Sequence, residues 1–245
     1  NLLKRFFKKI YQSFDRLSNK IANGYILLTE QMNELVNKQR KPYVVVEGVV
    51  DTEIELPNKL ENKYKEFTIM YAGGIYEKFG ILDLIKAVEQ IENENIKLVL
   101  YGNGDMEKIL NSQYQHNRKI KYGGVLENRQ IVEEELKSTI LVNPRFSNEE
   151  YTKYSFPSKN MEYMVSGTPV LTTKLSGMPI EYNEYVYLIE DESIEGMKKS
   201  IETVMSKNRD ELQQKGKRAQ EFVLLNKNNK KQAEKILELI WKIKR

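Results

Sequence analysis

The chain has 245 residues, 40% of them hydrophobic, enough for a sizeable core in one large or two small domains. Its charge of +4 is the small difference between 39 basic and 35 acidic residues interspersed along the chain, which argues against a nucleic-acid partner. There is no cysteine, so a disulfide framework and thiolate metal sites are excluded, in keeping with a reducing cytoplasm. The single histidine, His116, lies in the polar run SQYQHNRK and reads as a surface residue. No apolar run reaches the length of a transmembrane helix, and no signal peptide is evident. The first residue is Asn, not Met, so the sequence is expected to lack its own N-terminus.

In chain order, NLLKRFFKKIYQSFDRLSNKIA carries Leu2, Leu3, Phe6, Phe7, Ile10, Phe14, Leu17 and Ile21 on one broad helical face, beside Lys4, Arg5, Lys8 and Lys9. Two readings stay open: a core-facing helix with its lysines in solvent, which base rates favour, or an amphipathic helix lying peripherally on an anionic membrane. GYILLTEQMNELVNK (24–38) predicts a strand then a helix, and KPYVVVEGVVD (42–51) a second strand. Two strands and a helix cannot form a stable layer alone. Residues 1–56 therefore read as the last βαβ turn of another Rossmann-like domain.

From residue 57 short β-branched runs alternate with amphipathic ones. FTIMYAGG (67–74), IKLVLYG (96–102), IKYGGV (120–125), ILVNPR (140–145), PVLTT (169–173) and YVYLIED (185–191) predict strands. Between them lie helices over 81–91, from about 105, over 131–139, and after Pro157. Such alternation specifies right-handed βαβ crossovers and a parallel sheet covered on both faces, giving an α/β, doubly wound domain over 57–225. A last helix, about 229–244 with Ile236, Leu237, Leu239, Ile240 and Trp241, has too wide an apolar face for a free tail and is expected to pack against the first unit.

The segment FPSKNMEYMVSGTPVL (156–171) concentrates the chemistry. Pro157 suits a first helical turn, Ser158 is placed to satisfy exposed N–H groups there, and Ser166-Gly167 ends the helix before the next strand. In parallel sheets such helix N-termini lie beside the strands' carboxyl ends and favour anions. Gly73 and Gly74 end the first strand, where backbone N–H groups are expected to approach phosphates, with Lys78 in the following loop and Lys159 in the helix's first turn as candidate point charges. For Lys78 a solvated loop lysine is an equal reading. Lys159 favours function, because helix N-termini prefer acidic residues to basic ones. Glu162 is either an ordinary exposed helix carboxylate or a ligand for a vicinal diol, which two acceptor oxygens match. Its place between Pro157 and Gly167 favours the second.

YAGGIYEKFGILDLIKA, LVLYGNGD, YGGVL and FPSKNMEYMVSGTPVLTT, in this order, resemble the nucleotide-sugar-binding half of a family 4 retaining glycosyltransferase of the GT-B fold. The resemblance covers nearly all of 42–225 and reaches the C-terminal return helix; its nearest flavour is bacterial capsular or exopolysaccharide synthesis. It implies a cytoplasmic enzyme, peripheral on the inner face of the membrane in the alternative reading. Sugar would pass from a nucleotide-diphosphate donor to a carbohydrate or lipid-linked acceptor. It implies that 1–56 are the end of an acceptor-side domain. It places Glu162 at the second acid of a Glu-x7-Glu motif, on the ribose hydroxyls, and the base against the backbone of Gly123, Gly124 and Val125.

The chain departs from that pattern at two positions. Tyr154 stands where the family's first glutamate touches the donor sugar, with Glu149 and Glu150 upstream as substitutes or as a solvated acidic turn. Gly74 stands where the family carries a phosphate-binding arginine, with Arg145 as a substitute charge. No Asp-x-Asp occurs, so no catalytic metal and no cofactor beyond the donor are expected. A nicotinamide oxidoreductase fits poorly, because GNGDME (102–107) lacks the third glycine of the dinucleotide fingerprint. A non-catalytic nucleotide-sugar-binding or accessory subunit of a split transferase stays as the alternative.

Overall fold

The structure, a computed structural model, describes residues 19–52 and 57–244. The basic N-terminal stretch, and with it the membrane-surface reading, lies outside the described residues except for its last few positions. Among the described residues no helix is long and apolar enough to cross a membrane.

The first unit is a βαβ turn. Strands β1 (Tyr25–Leu27) and β2 (Tyr43–Val45) pair in parallel across helix α1 (Glu30–Val36), with Tyr25 opposite Tyr43. The main sheet has six parallel strands: β3 (Phe67–Ala72), β4 (Ile96–Tyr101), β5 (Ile120–Tyr122), β6 (Ile140–Asn143), β7 (Val170–Thr173) and β8 (Tyr187–Ile189). Their order is β5-β4-β3-β6-β7-β8, so the winding reverses between β3 and β6. Six helices connect or flank the strands: α2 (Ile81–Glu89), α3 (Glu107–Gln113), α4 (Asn128–Lys137), α5 (Ser158–Ser166), α6 (Ile194–Met205) and α7 (Arg209–Asn226). Helix α8 (Asn229–Lys244) ends the chain.

The period of two dictated by a pleated strand is visible in the core. On β3, Ile69 and Tyr71 face one layer of helices while Met70 and Ala72 face the other. On β4, Leu98 and Leu100 take the first side, Val99 and Tyr101 the second. The first layer is closed by Leu84 and Ile85 of α2 and Met197 and Ile201 of α6, the second by Tyr163 and Met164 of α5 and Phe222 and Val223 of α7. A sheet buried on both faces needs strands that are apolar throughout, which is why these runs show no polar alternation.

Helix α8 packs beside β2 of the first unit with Leu239 buried, while Leu237, Ile240 and Trp241 of its apolar face stay exposed. The Gln232 side-chain amide donates to the Gly48 carbonyl at 2.8 Å, and the Val50 N–H donates to the Lys227 carbonyl at 2.9 Å. Lys227, where α7 ends, is buried and pairs with the buried Glu47 and with Glu181. His116 is exposed, as its polar surroundings predict.

Candidate functional site

A cleft of about 710 Å³ opens at the carboxyl ends of β3 and β4, beside the point where the winding reverses. In open parallel sheets this is where ligands bind. One wall is the segment Glu47–Asp51 that follows β2. The floor is Ala72 and Gly73 at the end of β3 with Tyr101, Gly102 and Asn103 at the end of β4, and the far wall combines Val125 and Leu126 with faces of α4 and α5.

Helix α5 is held at two successive turns. The Asn160 amide donates to Thr172 Oγ1 at 3.0 Å and its carbonyl oxygen accepts from Asn143 at 2.8 Å, tying the first turn to β6 and β7. One turn on, the buried Tyr163 hydroxyl accepts from the Ala72 N–H at 2.9 Å and donates to the Ala72 carbonyl at 3.2 Å, fixing the helix to the end of β3. With 160, 163 and 164 turned to the core, helical spacing turns 158, 159 and 162 to the cleft. Gly167, at φ 71°, ends the helix in the left-handed conformation expected of it.

Lys159 therefore lies along the floor. A methyl group at Gly73 would stand 2.3 Å from Lys159 Cε, so the lysine side chain runs closely over the bare glycine there and a larger residue would displace it. Its ammonium is 3.7 Å from the Glu162 carboxylate, and the side chains are 25% and 61% exposed. A half-exposed pair at this distance contributes little to stability, so both groups are available to a ligand.

The Gly73 amide plays a different part from the one the sequence suggests, and neighbouring glycine amides are engaged in the same way. The Gly73 N–H donates to the Tyr101 carbonyl, the Gly102 N–H to the Gly124 carbonyl, and the Gly123 N–H to the Leu100 carbonyl. These amides tie the strand ends together and are not open to a phosphate. Gly102, at φ 125°, allows a close approach in which a methyl group would stand 1.7 Å from the Gly73 carbonyl oxygen. Ser158 is the first helical residue and makes no side-chain cap; the carbonyl of Pro157 accepts from the Asn160 N–H instead.

The cleft thus gathers Gly73, Val125, Ser158, Lys159 and Glu162 of the predicted residues. Val125 presents an exposed side chain to it. Gly74 and Gly124 are chain neighbours of wall residues and do not themselves line it. Lys78 is exposed, its ammonium 5.3 Å from the Phe79 ring and 5.6 Å from the Tyr76 ring, outside the wall. Arg145 stands behind the floor, 4.9 Å over the Phe79 ring and close enough to Tyr71 for its charge to be felt there. Its Nε is buried with no hydrogen-bond partner among the described residues. Tyr154 is half-buried and Glu150 exposed, both outside the wall, with Glu150 opening a short 3-10 turn over Glu150–Lys153.

Two lining residues are not visible in a sequence reading. Glu135 of α4 is buried, and burial first, then the neighbouring Glu162 carboxylate, push its carboxyl up to about 8 against the pull of Lys159. Glu47 is equally buried. Burial pushes it up, but the hydrogen bond and charge of Lys227 outweigh that and hold it below the ordinary glutamate value. Neither position sits in a motif. Only the topology brings Glu47 to Lys227, 180 positions away.

The decisive comparison is with the family described as Glycosyl transferases group 1, whose model matches residues 52–222. The chain belongs to this family. No curated protein matches it. Among solved structures, the chain is similar to a point mutant of TarM from S. aureus, in complex with fondaparinux, alpha-GlcNAc-glycerol and UDP. The identity is 19% and the TM-score 0.73, over 91% of this chain and 44% of that one. It is similar to a glycosyltransferase from Rickettsia africae (18%, TM-score 0.71, 95% and 67%) and to HepE from Anabaena in complex with UDP (14%, TM-score 0.73, 93% and 66%). The fold is the α/β, Rossmann-like one of these GT-B transferases, and the chain spans less than half the length of TarM.

Proposed function

We propose that the chain is the donor-binding half of a retaining, family 4 glycosyltransferase that moves a sugar from a uridine-diphosphate donor to a carbohydrate or lipid-linked acceptor in cell-surface polysaccharide synthesis. The observation that carries this reading is the cleft at the β3 and β4 ends, where Lys159 crosses Gly73 and Glu162 stands one turn further on. Uridine is the first choice of base because TarM and HepE were each solved with UDP. Residues 19–52 and helix α8 are assigned to the acceptor side of the full cleft.

Glycosyl transfer breaks the bond between the anomeric carbon and the diphosphate, whose oxygen gains negative charge as the bond lengthens. A cation fixed before the reaction stabilises that charge without reorganising. Lys159 is the cation that reaches the floor, held there by the anchorage of α5. Arg145, behind Tyr71, adds a second positive charge, and neither metal nor further cofactor enters the reading. Glu162 accepts the ribose hydroxyls, so one short helix reads two parts of the donor. Tyr154 and Glu150 belong to the loop that precedes α5, on the side where the donor sugar would extend.

Calorimetry with UDP, GDP, ADP and the matching nucleosides tests this reading. Glu162→Ala is expected to weaken nucleotide binding by roughly 1.5–3 kcal/mol, the range for hydrogen bonds to a charged group, with folding intact. Lys159→Ala is expected to weaken UDP more than uridine. The isolated 245 residues are expected to bind nucleotide and transfer little sugar, because closure of a complete cleft is what excludes water. Robust transfer by this chain alone overturns the half-enzyme reading. Unchanged affinity in Glu162→Ala removes the helix from the donor site and favours the split-transferase alternative.

A further inference from the structure

The sequence places three glutamates in a row on α4, and the structure gives them three fates. Glu133 points to solvent and pairs with Arg129 at 3.5 Å. Glu134 is saturated: its carboxylate accepts from the Tyr64 hydroxyl at 2.7 Å, the Tyr101 hydroxyl at 3.1 Å and the Lys137 ammonium at 3.1 Å. Glu135 is 5% exposed, lines the cleft, and its carboxyl makes no hydrogen bond or ion pair with any described residue.

The residue as a whole is buried, but its carboxyl oxygens are not sealed in the core; they are reached from the cleft. Glu135 has a cleft in front of it instead of a partner. One turn earlier on α4, Ile131 and Val132 join Val125 and Leu126 in an apolar strip suited to the flat faces of a base. On the other side stand Lys159 and Glu162. Glu135 lies between the two strips, where the polar edge of a nucleoside held by both would come.

We propose that Glu135 is a second nucleoside-binding group of this cleft, a carboxylic acid that donates its proton to an oxygen of the nucleoside and accepts from a neighbouring N–H or O–H. The inference rests on the nucleotide reading above and adds a contact that reading does not contain. The acid form suits the place. From α5 the titratable groups facing Glu135 are Lys159, Glu162 and the buried Tyr163. Glu134 on its own helix is already engaged, and among the described residues Lys159 is the one cation acting on Glu135. Burial and Glu162 together keep the carboxyl protonated up to about pH 8. Ionisation would set it against Glu162 and against the diphosphate on the floor.

The test is an NMR titration of the chain with uridine and with UDP between about pH 6 and 9, spanning the raised Glu135 value. The wild type is expected to bind both with affinity level up to about pH 7 and falling above about pH 8. Glu135→Leu is expected to lose about tenfold or more for uridine and for UDP alike, the loss of a buried hydrogen-bonding group, in contrast to Lys159→Ala, which acts on the diphosphate. Glu135→Gln keeps a donor and an acceptor in the same shape; it is expected to stay within about threefold of the wild type and to lose the fall at high pH. A folded Glu135→Leu that binds uridine as the wild type does, or a wild-type affinity level across the range, overturns the proposal. A wild type that binds neither ligand overturns the nucleotide reading and this inference with it.

Discussion

Two glutamates on facing sides of the cleft, Glu47 and Glu135, are each 5% exposed, and the molecule treats them in opposite ways. Glu47 is given a buried cation, Lys227, and the Tyr182 hydroxyl at 3.0 Å. Around that pair the Glu47–Val50 segment is stitched to the junction of α7 and α8 through the Gly48 and Lys227 carbonyls. Glu135 has neither cation nor donor within hydrogen-bonding reach among the described residues. The first carboxylate fastens one wall of the cleft to the rest of the protein. The second is left open to the cleft on the other wall, where a ligand can reach it.

Removing the cation should break the comparison most severely. In Lys227→Met the Glu47 carboxylate is buried without its charge partner, which typically costs about 3–5 kcal/mol. A melting-temperature drop of about 10 °C or more is expected for a chain of this size. Adding Glu47→Gln should recover much of the loss, since the uncompensated charge is then gone. A single variant that melts like the wild type would mean that the wall is not held by this pair. The sign with pH follows from the depressed Glu47 value: its stabilisation is present above the ordinary glutamate pKa and is lost as pH falls through the folded one.

Glu135 should give the opposite sign. Its carboxyl titrates near 4.5 in the unfolded chain and at about 8 when folded, so the folded state binds the extra proton. Its contribution is most favourable below 4.5 and declines as pH rises to about 8. Every tenfold gain in proton affinity on folding corresponds to about 1.4 kcal/mol, reduced by water entering from the cleft. Glu135→Gln is therefore expected to stabilise the ligand-free protein by roughly 2–4 kcal/mol at about pH 8.5 and by little at about pH 5. Urea unfolding at the two pH values measures it. An equal effect at both would show that the carboxyl is not protonated by its surroundings.

Much of this architecture is legible in the sequence because it follows from local rules. The apolar runs of β3, β4 and β6 announce a doubly covered parallel sheet, and Pro157 and Gly167 bracket α5 where the structure has it. Lys159 and Glu162 are readable as cleft residues because helical spacing puts them on one face. The role of the glycine amides is not readable, since hydrogen bonds between Gly73 and Tyr101 or Gly102 and Gly124 join segments far apart in sequence. Glu135 sits in an acidic helix that reads as a solvated face. Only packing α4 against α5 buries it. For Lys78 and Arg145 the sequence places a charge near the strand ends, but the loop after β3 turns Lys78 over Tyr76 and Phe79, away from the floor.

The smallest expected effect sharpens the comparison from the side of α5, the helix that carries Lys159 and Glu162. Tyr163 is fully buried, and its hydroxyl satisfies both the N–H and the carbonyl of Ala72 at the end of β3. Tyr163→Phe keeps the ring in the core and removes only that oxygen, leaving the Ala72 N–H without its partner. The cost is expected to be about 1–2 kcal/mol, the low end for an unsatisfied buried donor because the helix can shift slightly to relieve it. That same shift carries Lys159 off Gly73, whereas Glu135, on α4, stays where it is. Glu162 rides on the same helix, so uridine affinity should fall as well, but by less than UDP affinity, which loses the Lys159 contact too, and the two ligands measured on one variant separate the floor of the cleft from its nucleoside wall. Equal losses for both would mean that α5 and α4 move as one body and that the two walls are not independently built.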